Sequence, residues 1–191
     1  MSRNLPKLVV LFGLVPLVGC LGGGPKIEWS RNMAVYASSH DSKIHDDNIF
    51  SEGETARFIS EERDEAAQAE ADKYNQATLE WGKPQTVQRI VIKADPGQLE
   101  FFEIQYVDAE GKWHTLKNVE NHIKDVYKLD LGSPIQTTKL RLKVPNKWDS
   151  RMMGGAKRRT RGEGGSEVVA FKKIREIEVY HAVEPSASSE M

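Results

Sequence analysis

One cysteine in 191 residues excludes an internally disulfide-stapled fold. No long apolar run occurs after the first twenty residues, which excludes a polytopic helical membrane protein. An excess of one charge is missing too: 27 basic residues stand against 28 acidic ones, a formal net charge of −1. A general nucleic-acid binder carries a large basic excess, so nucleic acid is not an expected partner. There is no Gly-x-Ser-x-Gly elbow and no helix with metal-ligand spacing. No internal repeat is present. What remains, 39% hydrophobic and 29% charged residues, is an ordinary globular composition whose length suits one domain with tails.

The cysteine is placed informatively. Arg3 and Lys7 precede a short apolar stretch, Leu8 to Val18, which ends in Leu17-Val18-Gly19-Cys20. This is the layout of a secretory signal, and it is too short to span a bilayer. The four-residue ending resembles the lipobox of bacterial lipoproteins. The resemblance implies cleavage before Cys20, acylation of that residue and anchoring of an exported protein in a membrane. Several acyl chains together give stable anchoring, at about 0.8 kcal/mol per buried CH₂. Leu21, where an Asp would act as a retention signal, resembles lipoproteins sorted to the outer membrane. Residues 1–19 are thus expected to be a signal peptide and 20–26 a lipidated, Gly-rich tether. Loss of 1–19 removes Arg3 and Lys7 and no acid, leaving 25 basic against 28 acidic residues. Residues 183–191, Ser-rich and without apolar periodicity, read as a tail, so the folded domain is expected over 27–182.

Within that span, hydrophobic residues recur with a period of two. Ile90 and Ile92 share one face; so do Phe102, Ile104 and Tyr106; Tyr127, Leu129 and Leu131; Leu140, Leu142 and Val144; Ile177 and Val179. Turn signals separate the runs: Gly82-Lys83-Pro84, Asp95-Pro96-Gly97, Asp108 to Gly111, and Gly132-Ser133-Pro134. Short alternating strands without intervening amphipathic helices predict an all-β antiparallel sandwich. Glu61 to Tyr74, rich in Glu and Ala with almost no apolar stripe, predicts a solvated helical insertion.

Five segments, in order, resemble discoidin domains, also called coagulation-factor type C domains. Ala37-Ser38-Ser39 and Asn48 to Thr55 fall where that family has "A-S-S" and "N-A-x-D-G-x-x-x-T-x-W". Trp81 to Ile90 is similar to "D-L-G-K-P-x-T-V-x-x-I", and Phe102 to Leu116 to the "Y-x-I-x-Y-S-x-D-G-x-x-W-x-x-L" hairpin. Arg175 to Tyr180 resembles the closing strand. The resemblance implies a galactose-binding-like jelly roll of about eight strands and a non-catalytic binding module that uses loops at one end. It also implies a structural calcium site. Thr55 and Glu176 match the family's ligands, while Asp47 or Glu52 would replace an aspartate that is absent. Calcium takes six to eight oxygens, and a shifted or longer acid spoils that geometry. The alternative is a loop held by hydrogen bonds and by Phe50 and Phe58 in the core.

A glycan presents an apolar face to exposed rings and hydroxyls to polar groups. Trp29, Trp81 and Trp113 sit on strands and read as structural. Trp148 opens a long loop and is either a binding aromatic or a cap on the sandwich. Arg57 and His40 fall in loops that carry ligand contacts in the resembled family. The stretch 147–173 is a basic loop in which glycines flank Lys157, Arg158, Arg159 and Arg161. Arginine there suits sulfate, phosphate or carboxylate. The alternatives are a solvated insertion, or pairing with the acids of 61–72 at about 0–1 kcal/mol per exposed pair. Carbohydrate, or an acidic protein of the cell envelope, is the expected partner.

Overall fold

The structure is a computed structural model and describes residues 27–62, 64–146 and 171–183. Ten strand segments and one short α-helix are present among them, besides 3-10 turns at Ala34–Tyr36 and Ser42–Ile44: β1 (Glu28–Trp29), β2 (Gly53–Glu54), β3 (Ala56–Arg57), α1 (Glu65–Ala71), β4 (Tyr74–Lys93), β5 (Phe102–Val107), β6 (Trp113–Val119), β7 (Val126–Pro145), β8 (Lys173–Ile174), β9 (Glu176–Tyr180) and β10 (Ala182–Val183). All pairings among them are antiparallel. The all-β reading therefore holds.

Ten segments stand where about eight were expected because β1, β2, β3, β8 and β10 are two-residue strands. Two expected turns are bulges inside continuous strands. Four residues of β4, Trp81 to Pro84, stand against Thr138 alone on β7. Four residues of β7, Leu131 to Pro134, stand against Gln88 alone on β4. Such bulges bend a strand and re-phase its side chains. Val87 and Ile90, on opposite faces in a regular strand, lie beside the second bulge and are both fully buried.

The long β4–β7 pair thus serves both halves of the sandwich. Its Tyr74–Glu80 and Lys139–Pro145 portions join β3, β5 and β6. Its Gln85–Lys93 and Val126–Thr137 portions carry β9. One core cluster fills the space between, with Leu79, Ile104, Leu140 and Leu142 from one half meeting Ile90, Ile92, Ile177 and Val179 from the other. Burial of such side chains contributes roughly 1.5–3 kcal/mol each. Trp81 is buried as expected and donates its indole N–H to the Met33 carbonyl at 3.0 Å.

The two ends of the sandwich differ. Glu176 lies opposite Lys93 and Tyr180 opposite Arg89, so β9 runs toward β10, which pairs with β1. The first and last described strands therefore lie together at one end. Val183, expected in the tail, is in β10. Trp29, expected in the core, is half-buried there beneath the Arg89 guanidinium at 3.7 Å. The other end is built of loops joined to one another: Ala94 N–H donates to Asp125 O at 2.9 Å and His122 N–H to Glu100 O at 3.0 Å.

The helical insertion is shorter than expected. Only Glu65–Ala71 is helical, and Tyr74 already begins β4. Asp64 caps the helix by accepting Ala67 N–H at 2.7 Å. With seven residues, the helix depends on this cap and its tertiary contacts. Asp64→Ala is expected to cost about 1 kcal/mol. The loss should appear as faster amide exchange in 65–73 with little change in Tm. Equal acceleration across β4 would contradict it.

Candidate functional site

At the loop end lies a cleft of about 780 Å³. Its wall combines aromatic surface from Tyr74, Phe101 and Phe102 with polar groups from Glu103, Lys143 and Asn146. Phe101 is 43% exposed, an accessible ring at the start of β5. Phe102 is buried and packs edge-on against Tyr127 and His122 at 5.1 and 6.1 Å, which fixes the floor. Lys172 also lines the cleft, and burial lowers its pKa. A concave site with rings and a few placed polar groups is the usual form of a small-ligand pocket.

Extending from the cleft along the face of β5, β6 and β7 turned away from the core, rings and cations alternate. Arg141 stacks on Trp113 at 3.7 Å and on Phe58 at 4.5 Å. Lys143 stands 3.8 Å from the Tyr74 ring centre and 5.3 Å from that of Phe58. Burial lowers the Arg141 pKa to about 10, against the opposing pull of Glu61 and Glu103, so the guanidinium stays charged at neutral pH. Such cation–ring contacts contribute about 0.5–2 kcal/mol, more where water is excluded.

A second feature of the loop end surrounds Glu176. This carboxyl is fully buried, and its Oε1 accepts Asp47 N–H at 3.4 Å. Its Oε2 has no hydrogen-bond partner among the described residues. Burial, with the charges of Asp46, Glu178 and Asp47, pushes its pKa up to about 7 against the pull of the Asp47 N–H. Asp47 holds φ at +60°, a left-handed conformation that is costly for a residue with a side chain. An orphaned buried carboxylate oxygen beside two further acids suits a hard cation. Of the four expected ligands, Glu176 and Asp47 are brought together here, Asp47 through its backbone N–H. Glu52 is turned elsewhere, into an ion pair with Lys173 at 2.9 Å. Thr55 pairs with Lys172, its N–H donating to Lys172 O at 2.9 Å and its Oγ1 accepting Lys172 N–H at 2.8 Å. Among the described residues, no three His, Cys, Asp or Glu side chains converge as a ready-made ligand set.

The remaining expected residues are scattered. His40 is exposed, with Nε2 at 2.5 Å from Glu54 O, and Arg57 is exposed on β3; neither lines the cleft. Phe50 does not enter the core but is 90% exposed at a loop tip, and Phe58 packs on Arg141 instead of in the core. Trp113 is half-buried against Arg141 and donates its indole N–H to Glu61 Oε1 at 2.6 Å. Cys20, Trp148, Arg158, Arg159 and Arg161 lie outside the described residues. Sequence reasoning missed Tyr74, Phe101, Lys143 and Arg141. The outward parity of Arg141 and Lys143, opposite Gln105 and Glu103 on β5, was the available signal.

No protein-family model and no curated protein sequence matches the chain. Among solved structures, the fold is similar to a chitosan-binding module of a Paenibacillus sp. IK-5 chitosanase/glucanase, at 12% identity and a TM-score of 0.54, covering 80% of this chain and 100% of that one. It is also similar to the family 32 carbohydrate-binding module of C. perfringens NanJ in complex with galactose, at 16% identity and 0.52, covering 81% and 100%. A third is the Streptococcus pneumoniae fucose-binding module SpX-3, at 13% identity and 0.51, covering 80% and 98%. The chain has the galactose-binding-like jelly-roll fold.

Proposed function

We infer that this chain is an exported, non-catalytic carbohydrate-binding lipoprotein, anchored through Cys20 and binding glycan in the cleft at the loop end. The observation that carries the reading is the cleft itself, where Phe101 offers an open ring beside Glu103, Lys143 and Asn146. Similarity of fold to modules solved with galactose or named for fucose and chitosan supports it. The basic stretch enters the same proposal, because Asn146 and Lys172, which bracket it in the chain, both line the cleft. Trp148, Arg158, Arg159 and Arg161 would then serve a glycan bound there. β1, the first described strand, pairs with β10 at the end opposite the cleft. Calcium, held by Glu176 and Asp47, would brace the loop 46–52 and supply the carboxylate's missing partner.

The alternative reading is a protein-docking lipoprotein of the envelope. Ile49 and Phe50, 47% and 90% exposed at a loop tip, favour it, because adjacent exposed apolar side chains mark interaction sites.

An array of galactose, fucose, chitosan oligomers and uronic and sulfated polysaccharides tests the choice, with and without calcium and at two salt concentrations. Phe101→Ala is expected to weaken binding roughly tenfold or more, as loss of a central aromatic anchor does. Trp148→Ala reads the second ring. Loss of binding in the Arg158/Arg159/Arg161 triple-alanine variant, with strong salt dependence, would place anionic glycans in the site. No binding by the unaltered chain in any condition would overturn the carbohydrate reading in favour of a protein partner.

A further inference from the structure

The cleft wall is held from behind by a side chain that does not line it. Arg141 is 7% exposed and is held by two rings and one amide oxygen. Gln105 Oε1 accepts from both Arg141 Nε and Nη2, at 3.0 and 2.8 Å. That double bond pattern fixes which way the Gln105 amide faces. Its Nε2 then donates to Glu103 Oε2 at 2.8 Å and to Thr115 Oγ1 at 3.3 Å. Glu103 lines the cleft.

The other face of the guanidinium leads to the same place. Phe58, stacked on Arg141, meets Tyr74 edge-on at 6.3 Å, and Lys143 stands over both rings. Tyr74 and Lys143 line the cleft. Phe58 N–H donates to Tyr74 O at 3.2 Å, joining the segment 58–62 to the first residue of β4. Trp113, on the far side, is locked by Glu61 from that same segment.

We propose that Arg141 is a positioning residue for the cleft, setting Glu103, Tyr74 and Lys143 in one arrangement before a glycan arrives. This rests on the cleft being the glycan site. A site whose side chains are already ordered loses less freedom on binding. Lysine cannot substitute, because one ammonium cannot lie flat against two rings while giving two converging N–H bonds to one oxygen.

The test is Arg141→Lys in the full chain, read by amide exchange and by the glycan array described above. Exchange at Phe58, Asp72 and Lys73, whose N–H groups are hydrogen-bonded here, is expected to accelerate roughly tenfold or more, while β9 keeps its rates. Binding of whichever array glycan the unaltered chain retains is expected to fall roughly tenfold. Trp113→Phe, which keeps one ring beside Arg141 but removes the N–H to Glu61 and part of the aromatic surface, should give the same pattern in weaker form. It serves as the reporter if Arg141→Lys does not fold. Unchanged exchange at these three amides, or equal acceleration in β9, overturns the positioning role. Local loosening in a chain that binds no array glycan upholds the role and overturns the carbohydrate reading instead.

Discussion

Glu176→Gln is expected to stabilise the calcium-free protein at pH 8 by about 3 kcal/mol and to flatten its stability between pH 4.5 and 7. The carboxyl is fully buried, with a pKa pushed up to about 7 from an ordinary 4.5. Between those values the native state holds a proton that the unfolded chain has released. Stability from this group is therefore complete below pH 4.5, falls as pH rises through 7, and does not return above it. Gln keeps the oxygen that accepts Asp47 N–H and carries no charge at any pH. For a chain of this size, about 3 kcal/mol corresponds to roughly 6–12 °C in Tm. His45 and His122, whose pKa values burial lowers, are present in both proteins. Thermal melts from pH 4 to 8 in EDTA measure it, and parallel curves for the two proteins would refute it. Under the calcium proposal, added calcium should raise the Tm of the unaltered protein at pH 8 and leave Glu176→Gln nearly unmoved.

The sheet was legible because burial on a pleated strand imposes a period of two, and Leu140, Leu142 and Val144 carry it without interruption. The bulges were not. Gly82-Lys83-Pro84 and Gly132-Ser133-Pro134 are chemically the same whether they end a strand or bulge within one, and only the partner strand decides. Glu176 was legible as a distinctive residue through its place in the closing strand; its burial was not, since Glu176 and Glu178 share the strand face opposite Ile177 and Val179. Glu178 pairs with Lys93, and Glu176 is buried beside Asp47. The Arg141 stack was hidden for a similar reason. Its partners Phe58, Gln105 and Trp113 are distant in sequence, and arginine on the outward side of an alternating strand reads as solvated. Tyr74 was absorbed into a helical pattern that ends three residues earlier.

Gly53→Ala is expected to destabilise the fold by about 3 kcal/mol, the upper part of the range for forcing atoms into a packed core. A Cβ there would stand 2.4 Å from Ile44 Cγ2, 2.9 Å from the Ile44 backbone N and 3.0 Å from Asp41 Oδ2. None of these can give way cheaply. Ile44 is fully buried, and the Asp41 carboxylate accepts Glu54 N–H at 3.0 Å and Lys43 N–H at 3.1 Å. Gly82→Ala is the control, since a Cβ at that position meets nothing within 4 Å. Thermal melts should separate the two variants by roughly 6–12 °C, and equal Tm values would contradict the packing of β2 against Ile44. The consequence reaches the candidate cation site as well. Ile44 and Gly53 close the base of the segment that carries Asp47, and Asp47 meets Glu176 only through its N–H at 3.4 Å. Spreading that base moves Asp47 off Glu176, so calcium should stabilise Gly53→Ala less than it stabilises Gly82→Ala. A glycine that stands where the resembled family has its "D-G" pair is thus required here by a close approach to Ile44, whatever acid precedes it.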